Sequence, residues 1–197
     1  MRRHGEPPPV PRRRRRRLRP RRLVLILDVS GSMADYSRNL LQFAYSTARA
    51  ADRVEVFCFG TRLTRITREL GRHRRPQEAL DRAARAVFDW EGGTQIGACL
   101  DRFIRGWGRR GLSRGAIVVI CSDGLDRGDP ALLAQAMARL ERLCHAIVWM
   151  NPHRGADPNN IPASLGMLIA APHVDLLLSG HDLASLLEFP TALARLG

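Results

Sequence analysis

The sequence predicts an α/β fold, a doubly wound and mostly parallel open sheet with helices on both faces. Three observations predict it. Residues 23–27 (LVLIL) and 116–121 (AIVVIC) are unbroken apolar runs, the kind that strands covered on both faces present. Each run stops at, or one residue short of, an aspartate: Asp28 after the first, and Asp123 beyond Ser122 after the second. Between such runs lie segments whose apolar residues recur at helical spacing, so strand and helix alternate along the chain.

The elements follow in order. After the first strand, Asp35 or Ser37 is expected to cap a helix running through Ala51, with Leu40, Phe43, Ala44, Thr47 and Ala48 on its core face. RVEVFCFG (53–60) reads as a second strand. TRLTRIT (61–67) alternates, with Leu63 and Ile66 as its apolar positions, and reads as an exposed edge strand paired with the second as a hairpin. ELGRHRRP (69–76) is a solvated basic turn, and Pro76 opens a helix carrying Ala79, Leu80, Ala83, Ala84 and Val87 on one face. DWEGGTQ (89–95) is a loop, and a further helix starts at Thr94, with Ile96, Cys99, Leu100, Phe103, Ile104 and Trp107 inward. The 116–121 strand leads through DGLDRGD to Asp129 as an N-cap and Pro130 as the first residue of a helix. Leu132, Leu133, Ala136, Met137 and Leu140 form its core face. HAIVWMN (145–151) is a strand, NPHRGADPNN (151–160) a loop and VDLLLS (174–179) the last strand. Asp182 caps a final helix that Pro190 bends or breaks.

The chemistry concentrates in DVSGSM (28–33). A carboxylate at the end of a buried strand is costly to desolvate unless something positive sits beside it. Ser30 and Ser32 follow at alternate positions, and Gly31 is expected to allow the turn. Carboxylate and hydroxyl oxygens together suit Mg²⁺ or Mn²⁺ rather than zinc, which prefers Cys and His. Thr94 has two readings. A Thr at a helix N-terminus is commonly an N-cap. The preceding Gly92 and Gly93, which let backbone approach a ligand, favour metal ligation.

DVSGSM resembles the first motif of the metal-ion-dependent adhesion site (MIDAS) of von Willebrand factor A (VWA) domains. The two other parts of that site follow in order, Thr94 in GGTQIG and Asp123 in CSDG. FGTRLTRITREL, DWEGGTQIG, SDGLDRGDP and WMNP narrow the resemblance to the CoxE-like VWA proteins, accessory factors of carbon monoxide dehydrogenase and related molybdenum enzymes. It runs from about Leu23 to the C-terminus. The resemblance, with right-handed crossovers, implies strand order 3-2-1-4-5-6 with a short antiparallel third strand. Strands 1 and 4 then flank the switch point, where ligands of such sheets bind, and Asp28 and Asp123 meet there. The family geometry implies that Ser30, Ser32 and Thr94 ligate the metal through their hydroxyls. Asp28 and Asp123 then act largely through waters and hydrogen bonds. An open metal position would attract a partner's carboxylate, with Asp126, Arg127 and Asp129 as a rim that reads the partner. The resemblance further implies a MoxR-type AAA+ ATPase partner and a molybdenum hydroxylase client.

Composition bounds the alternatives. The 197 residues suffice for one domain, and the net charge of +13 is lopsided. Residues 1–22 hold eleven arginines against one acid, Glu6, together with PPPVP. They read as a disordered basic arm ahead of a domain at 23–197. The arm is first a solvated linker to an upstream region of the kind CoxE-like proteins usually carry. Nucleic-acid binding is the second reading, although no aromatics interleave the arginines for base stacking. Cys58, Cys99, Cys121 and Cys144 are widely spaced in apolar contexts, which implies buried free thiols in a reducing cytoplasm. His145, His173 and His181 show no ligand spacing and are expected to be structural or solvent-facing. No apolar stretch approaches a membrane span, and RRLVLIL lacks the length and cleavage site of a signal peptide. Enzymatic readings are weak: a dehalogenase-like phosphatase needs an acid where Ser30 stands, DVSGS is not G-x-S-x-G, and no Walker A motif occurs. A non-catalytic interaction module is the expectation.

Overall fold

A computed structural model describes residues 21–71, 75–87, 93–154, 163–181, 189–194 and 196. The arginine-rich arm up to residue 20, Gly92, Asp182, the centre of the 69–76 turn and most of the 151–160 loop lie outside the described residues.

The sheet has the order β3-β2-β1-β4-β5-β6. Its strands are β1 (Leu23–Asp28), β2 (Val54–Phe59), β3 (Leu63–Arg65), β4 (Ile117–Cys121), β5 (Ala146–Asn151) and β6 (Leu176–Ser179). All neighbours pair in parallel except β2 with β3, which are antiparallel. The anticipated hairpin and edge position of β3 are therefore as expected. β1 is central, with Leu25 beside Val56 on one flank and Val119 on the other. Every residue of β1 is buried, which is why the run is apolar without alternation.

The alternation appears instead in which layer each side chain joins. Leu23, Leu25 and Leu27 pack with α1 (Ala34–Ala50) and α2 (Pro76–Ala86), and Phe189 of α6 (Phe189–Ala194) joins the same cluster. Val24 and Ile26 pack on the other face with α3 (Ile96–Phe103), α4 (Pro130–Leu143) and α5 (Leu165–Ala170). Phe57 anchors that second layer, meeting Phe103 and Trp107 edge to face at centroid distances of 5.1 and 5.2 Å.

Several boundaries differ from expectation. Neither Asp35 nor Ser37 caps α1, which is entered through a 3₁₀ turn at Gly31–Met33. Asp35 lies in the first helical turn, where the helix dipole favours an acid, and Ser37 Oγ donates back to Met33 O at 2.8 Å. Gly31 has no positive φ, because a 3₁₀ turn needs only ordinary helical dihedrals. The helix expected from Thr94 begins at Ile96 and continues past Phe103 as a π-helix, Ile104–Leu112, in which Gly111 has φ 109°. The sequence pattern assigned nothing to α5. Its six residues, LGMLIA, are too few and too uniformly apolar to show a helical period, and Ser164 caps it from outside. Pro190 lies in α6 (Phe189–Ala194), while the start of the final helix expected from Asp182 lies outside the described residues. Cys58, Cys99 and Cys121 are buried free thiols as expected, whereas Cys144 is only partly buried. Burial pushes the Cys58 and Cys121 thiols far above the usual range and that of Cys144 up to about 12. Among the described residues no helix is long and apolar enough to cross a membrane.

The contact between α3 and α4 has no slack at Gly97. A Cβ added there would lie 2.7 Å from Leu133 N and 2.9 Å from Leu133 Cα, and backbone atoms cannot step aside as a side chain can. Gly97→Ala is expected to destabilise the fold by about 1–3 kcal/mol, through overpacking. Urea unfolding of the two proteins at equal slope measures it.

Candidate metal centre

β1 delivers Asp28 to the C-terminal edge of the sheet with none of its surface exposed. Its Oδ1 accepts from Ser30 N at 3.0 Å, and its Oδ2 accepts from Ser122 Oγ at 2.7 Å. Both partners are neutral. Burial therefore dominates and pushes the carboxyl up to about 6, against an ordinary 3.8. Hydrogen bonding from the Ser30 side chain, from Ser122 and from the Ser30 amide works in the opposite direction, and the nearby Asp123 charge adds to the rise.

Asp123 follows β4 and is likewise buried. Its Oδ1 accepts from Leu125 N at 2.9 Å. Its Oδ2 is buried with no hydrogen-bond partner among the described residues. His153 Nε2 stands 3.9 Å from that oxygen, too far for a hydrogen bond. The turn after Asp123 requires a left-handed residue, supplied by Gly124 at φ 78°, and a Cβ there would strike Met167 and Ser164.

The hydroxyls gather in front of these acids. Ser30 Oγ and Ser32 Oγ lie 3.2 Å apart. Together with Thr94 they line a cavity of about 250 Å³, whose other walls are Gly31, Gly93, Leu125 and Arg127. Thr94 does not cap a helix. Asp126 does so instead, accepting from Ile96 N at 3.0 Å and Gly97 N at 3.3 Å, and Thr94 O accepts from Arg127 N at 2.9 Å. Of the three rim residues expected beside the site, Arg127 faces the cavity. Asp129 caps α4 by accepting from Ala131 N at 2.8 Å, as its place before Pro130 predicted. Asp126 is engaged at the start of α3. The Arg127 side chain lies across Gly93, where a Cβ would come within 2.8 Å of its Cδ.

Three residues of this region were not anticipated. Ser122 joins β4 to β1 through Asp28, and its Oγ also accepts from Gly124 N at 3.0 Å. Asn151 donates from Nδ2 to Asp123 O at 3.2 Å, and its Oδ1 accepts from His153 N at 2.8 Å. His153 packs edge to face on Tyr36 and leans toward Asp123. The available signal was position: each lies at or just past the end of a central strand. The three other histidines discussed above are engaged elsewhere, His145 with Leu196 O, His173 with Glu141 and His181 with Ser179.

Among the described residues no three His, Cys, Asp or Glu side chains come together as a metal-binding group. What the site offers is different: three hydroxyls lining a cavity and two buried carboxylates, one with an unpartnered oxygen. Such an oxygen is what a hard cation, or water bound to one, satisfies, so the residues present fit a divalent ion.

Comparison with known proteins follows the same lines. Residues 1–186 match the family described as VWA domain containing CoxE-like protein. No curated protein matches the chain. Among solved structures, the chain is similar to a von Willebrand factor type A protein from Catenulispora acidiphila, with a TM-score of 0.58 and 18% identity over 88% of this chain and 41% of that one. BatB from Bacteroides thetaiotaomicron gives a TM-score of 0.58 and 13% identity over 90% of this chain and 98% of that one. Proximal thread matrix protein 1 from the mussel byssus, solved with a zinc-occupied MIDAS motif, gives a TM-score of 0.55 and 16% identity over 87% and 45%. The chain thus spans less than half of the Catenulispora and byssus proteins. At these identities the likeness concerns the fold.

The raised carboxyl of Asp28 has a measurable consequence in metal-free protein. Below pH 3.8 the group is protonated in both folded and unfolded states and contributes nothing. As pH rises from 3.8 to about 6 the unfolded chain ionises first, and the fold loses stability relative to it. The loss is complete above about 6 and amounts to something on the order of 3 kcal/mol. Asp28→Asn is therefore expected to be more stable than the wild type at pH 7 in EDTA, with the difference closing near pH 4. Paired urea titrations across that range measure it.

Proposed function

This chain belongs to the family of VWA domain containing CoxE-like proteins, and we propose that it is a non-catalytic interaction module that holds a partner's carboxylate through a divalent metal ion. One observation carries the reading. Hydroxyls from two separate loops, Ser30 and Ser32 from one and Thr94 from the other, line a single cavity, and two buried acids, Asp28 and Asp123 with its unpartnered oxygen, end or follow the adjacent central strands.

In this reading Ser30, Ser32 and Thr94 would hold Mg²⁺ or Mn²⁺ through their hydroxyls, while Asp28 and Asp123 would act largely through waters and hydrogen bonds. The cation supplies Lewis acidity and an open coordination position. Neutral hydroxyls would leave most of its charge unquenched, so an acidic side chain of a partner would be drawn to it. Arg127 is placed to give that carboxylate a second, charge-assisted contact. The byssus relative with zinc at its MIDAS supports a divalent ion at the corresponding fold position. The ligand set, free of Cys and His, supports magnesium or manganese here. By family resemblance the partner is a MoxR-type AAA+ ATPase, the client is a molybdenum hydroxylase of the carbon monoxide dehydrogenase type, and both meet the chain in the cytoplasm. The absence of an acid at Ser30 and of a Walker A motif supports a role in binding rather than turnover, and the one G-x-S-x-G match, Gly111 to Gly115, lies ahead of β4 rather than in the strand-to-helix turn that a nucleophile elbow needs.

The test is capture of a purified MoxR-type ATPase or client, with Mg²⁺ or with EDTA, by wild type, Asp28→Ala and Asp123→Ala. EDTA and either substitution are expected to abolish capture. Ser30→Ala and Thr94→Ala are expected to weaken it by on the order of tenfold or less, because water can replace one hydroxyl. Capture indifferent to chelator and substitutions sinks the reading. Capture lost only on deleting residues 1–22 and weakened steeply by salt supports the nucleic-acid or polyanion reading of the arginine-rich arm instead.

A further inference from the structure

A second site lies at the other end of the molecule. In a parallel crossover the helix runs back against its strands, so α4 starts near the metal centre and ends at the N-terminal edge of the sheet. There Ile104, Arg105 and Arg109 of the π-helix, with Arg139, Arg142 and Leu143 of α4, enclose a cavity of about 540 Å³. Four arginines line it together with the partly exposed Leu143, and Ile104 lies almost wholly buried beneath.

The four arginines are not equivalent. Asp101 holds two of them: its Oδ2 accepts from Arg105 Nε at 2.8 Å and its Oδ1 from Arg139 Nη1 at 2.9 Å. That carboxylate is largely buried and pre-organises both forks. Arg109 and Arg142 are exposed, and no carboxylate among the described residues faces them. One acid against four bases leaves the cavity with an excess of positive charge. Cations in the last turn of a helix compensate its dipole, but one or two satisfy that need, and a concave wall of four around Leu143 goes beyond it. Arg105 and Arg109, four residues apart on the π-helix, lie on one side of it together with the end of α4. The chain also enters β1 at this edge, where Arg22 Nη1 donates to Gly111 O at 2.8 Å.

We infer that this cavity docks an acidic segment of a partner protein, with an apolar side chain seated on Leu143 and its carboxylates on Arg109 and Arg142. Charge complementarity selects an anionic occupant. An aliphatic side chain rimmed by arginine is the anatomy of a protein interface, where buried apolar anchors sit among guanidinium contacts. A nucleic acid is disfavoured because no aromatic side chain lines the cavity for stacking, and Trp107 on the same π-helix is packed inward on Phe57. The inference is independent of the metal centre, which lies at the opposite edge of the sheet.

Fluorescence anisotropy with short labelled peptides on the full chain tests it. The probes are a Glu/Leu peptide, a Gln/Leu peptide lacking the charge and a Glu/Ser peptide lacking the anchor. The Glu/Leu peptide is expected to bind best, with equal affinity in Mg²⁺ and EDTA. Arg109→Glu combined with Arg142→Glu is expected to weaken it by at least about tenfold, the loss of two charge-assisted contacts. Arg38→Glu combined with Arg82→Glu makes the same charge change on helices of the sheet's other face and is expected to change affinity less than about twofold, by long-range screening alone. Equal weakening by the two double variants, equal binding of the Glu/Leu and Glu/Ser peptides, or a single-stranded oligonucleotide that binds more tightly with the same dependence on Arg109 and Arg142, overturns the inference. Circular dichroism melts of both double variants establish that each is folded, both pairs being exposed.

Discussion

The burial of Asp28 is the constraint around which the rest is arranged. A carboxylate on the central strand, covered on both sides by neighbouring strands, cannot reach water, and its direct partners are an amide and a hydroxyl rather than a cation. The amide comes from its own turn and the hydroxyl from β4, so the acid also ties the two halves of the sheet together where their strands diverge. Asp123 repeats the arrangement one strand away with an oxygen left over. A fold optimised for stability alone would not place two acids there. Their place at the switch point of an open sheet suits the positively charged ligand proposed above.

The loop after β4 converts that local chemistry into a shaped surface. Asp123 O accepts from Asn151 and from Ser164, Asp126 caps α3, and Asp129 caps α4. Gly124 turns through a conformation that only glycine adopts freely, packed on Met167. The acids of this loop are thus consumed in holding helices, and what remains in front of the hydroxyls is Leu125 and Arg127. Ligand chemistry and helix placement share one short segment, which fixes the cavity relative to the layer formed by α3 and α4.

The molecule is electrically divided along its strands. Buried acids end β1 and β4 at one edge. Arginines of α4 and the π-helix crowd the other, at the edge where the arginine-rich N-terminal stretch joins β1. The division follows from chain direction in a doubly wound sheet, since every crossover helix begins beside strand C-termini and ends beside strand N-termini. On the readings proposed above, both edges would take acidic groups, one through a bound cation and the other through guanidinium groups.

The fold class was legible in the sequence because its signals are local. Residues 23–27 and 116–121 are apolar throughout, since both faces of those strands are covered, whereas β3 at the edge buries only Leu63. The hydroxyls of Ser30 and Ser32 and the capping role of Asp129 before Pro130 are equally short-range and were read directly. The family's motifs extended this to Thr94 and Asp123. Tertiary structure decided what depends on atoms far apart in sequence. Asp28 and Ser122 are 94 positions apart, and nothing local to Ser122 distinguishes it from any serine beside a strand. Asp126 was expected on the rim and caps a helix beginning 30 positions earlier, which in turn frees Thr94 from that task. The arginines at the far edge carry no motif at all: a π-helix and the end of α4 bring them around one cavity. Periodicity and short motifs report what a residue does to its own neighbours, whereas a shared carboxylate or a cavity wall exists only once the crossovers have closed.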